Sequence, residues 1–164
     1  MVRRRDDGEG PGAYHRALGL LVRREHSRRE LERKLAAKGE EPAAAAEAVA
    51  ELSRQGYQDD ARFAEMLVRS RVHGGHGPVR VRAELAQHGI PRDTGEAAIA
   101  EVLEALGLDW ADLARDLVQR RFPRGCPDLA TRRKAADLLA RRGFESAQLQ
   151  AALRDAPDDA ADPA

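Results

Sequence analysis

The sequence predicts an all-α fold of three tandem three-helix repeats, and three observations carry that prediction. The first is composition: 31 Ala and 18 Leu stand against 9 Val and 2 Ile in a chain of 164 residues. Ala and Leu lose little side-chain freedom in a helix, whereas β-branched residues are restricted at χ1. An all-β fold is thereby excluded. The second is a recurring spacing, in which a Leu precedes a Gly by four residues at Leu35/Gly39, Leu85/Gly89 and Leu139/Gly143. The third is charge, whose sign alternates in step with that spacing. The net values are +5 over 13–39, −5 over 40–60, +4 over 61–92, −6 over 93–116, +6 over 117–143 and −4 over 144–164.

The first helix of each repeat is read from paired apolar residues at i, i+1, i+4 and i+5, a single stripe on a helix. These are Ala17-Leu18 with Leu21-Val22, Phe63-Ala64 with Leu67-Val68, and Leu113-Ala114 with Leu117-Val118. The middle helices carry Leu31/Leu35, Val81/Leu85 and Ala135/Leu139, and each ends at its glycine, the residue that turns left-handed at least cost. Third helices follow, with Val49, Ile99 and Leu153 ten residues beyond the glycines. Ser27 with Glu30 has the form of a capping box, and Asp93 with Glu96 repeats it. Asp60, Asp109, Asp128 and Ser146 are the remaining expected caps, while Pro42 and Pro78 suit first helical turns. The repeats are placed at 13–56, 57–106 and 107–154, with disordered tails expected at 1–12 and 155–164. Tyr57 is expected to pack as an anchor between the first two repeats.

Little in the chain points to chemistry. One cysteine, Cys126, excludes an internal disulfide or a four-cysteine zinc site, and without a neighbouring His it reads as an incidental thiol. No phosphate-loop motif accompanies Gly74–Gly77. His73 and His76 lack a completing ligand set, so that loop reads as a connector; His26 reads as a turn residue. Neither a catalytic constellation nor a cofactor is indicated, and the expectation is a non-enzyme. The longest apolar run, Ala43–Ala46, is far short of the roughly 20 residues of a membrane span, and no leader pattern follows Met1. The chain reads as cytoplasmic and monomeric.

What remains is charge geometry. The total is zero, with 28 basic and 28 acidic residues, which argues against indiscriminate coating of nucleic acid. Arranged by helix, however, the bases fall on the middle helices and their neighbours. The candidate strip comprises Arg24, Arg28, Arg29, Arg33 and Lys34 in the first repeat; Arg69, Arg71, Arg80 and Arg82 in the second; and Arg132, Arg133, Lys134, Arg141 and Arg142 in the third. Repeats stacked in one orientation would present these to an anionic partner. With only six aromatic residues, mostly on or beside core stripes, base-stacking platforms are not expected. Direct DNA binding, where it occurs, is expected to be phosphate-driven, non-specific and salt-sensitive.

The residues also resemble a known family. Arg24-Glu25-His26-Ser27-Arg28-Arg29-Glu30-Leu31, followed by Lys34-Leu35 and Lys38-Gly39, is similar to the first-repeat signature of the RecX family, small bacterial regulators of the RecA recombinase. Asp59-Asp60-Ala61-Arg62-Phe63-Ala64 with Leu67-Val68-Arg69-Ser70-Arg71 resembles the second-repeat signature, Gly77-Pro78 the next helix start, and Arg141-Arg142-Gly143-Phe144 the third-repeat turn. Glu40 departs from the pattern, since an apolar residue usually follows that glycine. The resemblance implies a non-enzymatic, elongated and curved nine-helix array. It also implies binding in the groove of the RecA nucleoprotein filament and lower ATPase, strand-exchange and co-protease activities. The alternatives are a helix-turn-helix-like sequence-specific DNA binder and a generic helical scaffold. The first would need a base-reading helix, and the third helices here are acidic.

Overall fold

In the computed structural model of the chain, residues 12–154 are described, and among them nine helices and no strands occur. The tails expected at 1–12 and 155–164 lie outside the described residues, save Gly12, which is extended and precedes the first helix. The helices are α1 (Ala13–Leu21), α2 (Arg28–Ala36), α3 (Pro42–Arg54), α4 (Asp60–His73), α5 (Pro78–Gln87), α6 (Arg92–Leu106), α7 (Trp110–Arg121), α8 (Leu129–Arg142) and α9 (Ser146–Arg154). The chain divides between Phe63 and Ala64, inside α4, into two compact units.

In the first unit, α3 packs against both α1 and α2. Ala17, Leu31, Leu35, Ala45, Val49 and Leu52 close a small core, with Tyr14 and Leu18 leaning on it. Leu31 and Leu35 are fully enclosed, each removing apolar surface that stabilises by about 2 kcal/mol. The Leu21-Val22 pair departs from expectation: α1 stops at Leu21, so Val22 leaves the helical stripe and is 80% exposed. Tyr57, expected to be packed, is 54% exposed, its backbone N–H closing the end of α3 on Leu52 O instead.

In the second unit, α5 packs on α6, α7 on α9, and α8 on both α7 and α9. The paired stripes of α4 and α7 are buried as read: Leu67 and Val68, and Leu113, Ala114, Leu117 and Val118. Gly39, Gly89 and Gly143 each take a positive φ, of 85°, 74° and 86°, where an L side chain would be strained.

Helix starts follow the sequence in part. Asp109 accepts from the Asp112 N–H and Asp112 from the Asp109 N–H, a full capping box, and Asp128 accepts from Thr131 N–H. Ser27 accepts from the Glu30 N–H, but the Glu30 carboxylate turns to cations rather than back to the cap. At α4 the cap is Asp59, whose carboxylate accepts from Ala61 and Arg62 N–H; Asp60 is already helical. At α6 the cap position is Pro91, whose side chain has no acceptor; Asp93 is already inside the helix and accepts from Thr94 N–H, and Glu96 is taken by Arg82. Ser146 likewise lies inside α9, preceded by Glu145, whose N–H donates to Gln148.

Candidate basic interface

The three middle helices share one register, with Leu31, Val81 and Ala135 buried at equivalent places and Leu35, Leu85 and Leu139 a turn later. That register sets Glu30, Arg80 and Lys134 at one position and Lys34, Glu84 and Leu138 four residues on. The first helix thus carries an acid-to-base pair, with Lys34 Nζ 3.1 Å from Glu30. The second carries the same pair with signs exchanged, Arg80 Nε lying 3.2 Å from Glu84. In the third, Leu138 stands where the partner would be, and Lys134 instead helps lower the pKa of Asp128 at the start of α8.

This pairing sorts the candidate strip. Arg24 lies 2.5 Å from Glu30, Arg71 2.5 Å from Glu84, and Arg82 bridges Glu96 at 2.6 Å and Glu145 at 3.3 Å. Arg132 Nε donates to Cys126 O at 3.0 Å and Arg142 Nη1 to Gly74 O at 2.8 Å, so both hold loops in place. Arg28 is exposed and reaches Ser53 Oγ at 3.4 Å. Arg29, Arg33, Arg69, Arg133, Lys134 and Arg141 are exposed, and no carboxylate lies within 4 Å of them among the described residues. A paired surface cation must give up its carboxylate to meet a partner, at a cost of up to about 1 kcal/mol that an unpaired one is spared. The second set is therefore the better-equipped one.

In the second unit the structure brings part of the strip together. A groove of about 540 Å³ between α5 and α8 is lined by Val79, Arg80, Ala83 and Glu84 on one side and Ala140 and Arg141 on the other. Its base is a junction of helix ends. The Gly77 N–H donates to Arg142 O at 2.7 Å, and the Val79 N–H donates to Gly143 O at 3.0 Å. Amides left unsatisfied at the start of α5 thus meet carbonyls left over at the end of α8. A Cβ on Gly77 would collide with the Gly143 carbonyl, and one on Gly143 would stand 2.7 Å from Arg80 N, so both positions require glycine. About two turns earlier on α8, Arg133 and Lys134 are exposed while Ala135 and Leu139 are buried.

The first unit holds its basic helix differently. His26, 1% exposed, accepts at Nε2 from Lys34 Nζ and donates from Nδ1 to Arg24 O, both at 3.0 Å. This geometry fits a neutral ring, and burial accordingly pushes its pKa down despite the Arg24 carbonyl and Glu30. Burial raises Glu30, but hydrogen bonds from Arg24 and Lys34 outweigh it and hold its pKa at about 2. Buried Gln58 completes the network, donating to His26 O and to Asp60 while accepting from Ser53. The sequence reading of His26 as a bare turn residue missed this; the signal was Lys34 eight residues on, one turn beyond the Glu30 that faces it.

No group of three His, Cys, Asp or Glu placed to hold a metal occurs among the described residues, and none of the helices is long and apolar enough to cross a membrane. Cys126 is enclosed, and burial pushes its thiol pKa up, away from a reactive thiolate.

Family models for the first, second and third three-helix domains of RecX match residues 13–52, 59–99 and 109–153. The chain is 59% identical over 145 residues to the regulatory protein RecX of Stenotrophomonas maltophilia strain R551-3, covering 88% of this chain and 86% of that one. It is 56% identical over 140 residues to the regulatory protein RecX of Xanthomonas axonopodis pv. citri strain 306, covering 85% and 84%. Among solved structures, RecX from Lactobacillus salivarius shares the fold with a TM-score of 0.70 at 20% identity, over 87% of this chain and 93% of that one. With three domain models in tandem and such relatives along most of its length, the chain belongs to the RecX family of regulatory proteins.

Proposed function

We propose that this chain binds the RecA nucleoprotein filament in its helical groove and lowers RecA ATPase, strand-exchange and co-protease activities, acting in the cytoplasm as a monomer. Family membership supplies the partner; the unpaired cations supply a physical means. The carrying observation is the α8 surface, where Arg133, Lys134 and Arg141 are exposed with no carboxylate within 4 Å among the described residues, Arg141 lining the α5–α8 groove. Several modest contacts along a filament add through effective concentration, so no single contact has to be strong. Phosphate exposed in the filament is the natural counterpart of such cations, and binding through it weakens steeply with salt. The third helices disfavour a base-reading role: α3 carries exposed Glu47, and α6 exposed Glu101 and Glu104, which a DNA groove would repel.

The test is RecA ATPase on single-stranded DNA, titrated with this protein at low and high salt. Arg133→Glu, Lys134→Glu and Arg141→Glu together should weaken inhibition about tenfold or more while leaving the helical circular dichroism unchanged. Arg132 is left intact because it braces the Cys126 loop. Full inhibition by the folded triple variant, or no effect of the wild-type protein on RecA, would overturn the proposal.

A further inference from the structure

A second cavity lies on another part of the second unit, formed by α4, α7 and the segment that joins α6 to α7. It encloses about 590 Å³; Val72 and Leu113 are buried residues of its lining, with Arg69 and the Asp116–Arg120 pair around them. Leu106 and Leu108, which also line it, are 45% and 41% exposed. They flank Gly107, whose φ of 63° ends α6 and turns the chain between them. A single exposed leucine is ordinary, but two beside an apolar cavity make a patch.

The charges say what the patch fits. Arg120 is neutralised by Asp116 at 2.8 Å, whereas Arg69 has no carboxylate within 4 Å among the described residues. Aliphatic surface beside one unspent guanidinium is complementary to an aliphatic segment that carries a carboxylate. A nucleic acid strand would use the cavity poorly: its lining offers a single ring, the His73 imidazole, rather than a stacking platform, and phosphates gain nothing from two leucines. We infer that this cavity is a docking groove for an amphipathic protein segment, aliphatic on one face and acidic at its edge. The inference goes beyond the RecA reading and does not depend on it.

Fluorescence anisotropy tests this without RecA. The probes are a labelled synthetic helical peptide with leucines and glutamates on one face, its leucine-to-serine counterpart, a leucine–lysine counterpart, and a labelled single-stranded oligonucleotide. The leucine–glutamate peptide should bind the full-length protein at least about tenfold more tightly than the serine version. Leu106→Ser with Leu108→Ser should erase that preference without changing oligonucleotide affinity. Arg69→Glu should shift the preference toward the leucine–lysine peptide. Because the three side chains are exposed, the melting temperature should stay at the wild-type value and exclude misfolding as the cause. Equal binding of leucine and serine peptides would overturn the inference. So would leucine variants that lose oligonucleotide rather than peptide, or a concentration-dependent dimer abolished by the same variants, which would assign the cavity to DNA or to a second copy.

Discussion

The two units solve one problem, fixing the start of a middle helix, by opposite means. In the first unit, α2 begins among buried polar groups: Ser27 caps it, Glu30 gathers Arg24 and Lys34, His26 fills the space beside them, and Gln58 ties in the start of α4. In the second, α5 begins on bare backbone, where Gly77 and Val79 amides meet the last carbonyls of α8. One anchor is built of buried polar and charged side chains. The other is steric and answers to volume. Packing in the small cores is common to both; the difference lies in what a single change can undo.

The largest expected effect tests what both share. Phe63, 1% exposed, fills the first turn of α4 where the units divide, and Phe63→Ala should destabilise by about 3–5 kcal/mol. Urea denaturation checks it, and a change below about 1 kcal/mol would show that the stripe of α4 is not core. Next comes the steric anchor: Gly77→Ala forces a methyl group against Gly143 and should cost about 1–3 kcal/mol. Hydrogen exchange should show faster opening confined to residues 64–154, with α2 protected as before. Uniform loss of protection in both units would erase the contrast.

The electrostatic anchor is tested by acid. The folded-state pKa of Glu30 lies below its usual 4.5, at about 2, so its contribution is present above pH 4.5 and fades as pH falls toward 2. His26 is also lowered from 6.5, so the unfolded state takes up its proton first and stability declines as pH drops below about 6.5. Between pH 7 and pH 5 the first unit should therefore soften through His26, and the second through His76 beside Gly77, whose pKa burial also lowers. His26→Gln should flatten that part of the profile, as read by exchange rates of α2 amides. An unchanged slope would remove the histidine from the account. The smallest effect belongs to the free cations: Lys134→Ala should shift stability by no more than about 0.5 kcal/mol, whereas Lys34→Ala, which strips a partner from buried Glu30, should cost more.

Much of the fold was legible because it rests on periodicity. The stripes of α4 and α7, the glycine stops after α2, α5 and α8, and the aspartate caps of α7 and α8 stand where spacing puts them. Where reading and structure part, a side chain had two plausible partners. Glu30 and Glu96 were expected to reach back to backbone caps, but Arg24 and Arg82 offered charge as well as hydrogen bonds. The same competition decided the strip. Sequence grouped fourteen bases by position, while the structure separates Arg71, Arg80 and Arg82, held by carboxylates from other turns and helices, from Arg133, Lys134 and Arg141, which are not. The docking cavity had no sequence signal beyond Leu106-Gly107-Leu108, since its walls come from α4 and α7, about forty residues apart.

The shared helix ends also bear on how the molecule is made. As the polypeptide leaves the ribosome, the Gly77 and Val79 amides appear some sixty residues ahead of the Arg142 and Gly143 carbonyls that will receive them. Until then water must serve those amides, so α5 acquires its final footing only when nearly the whole chain has been synthesised. A gene shortened before α8 would yield a middle segment lacking its own doorstep, however intact its leucines.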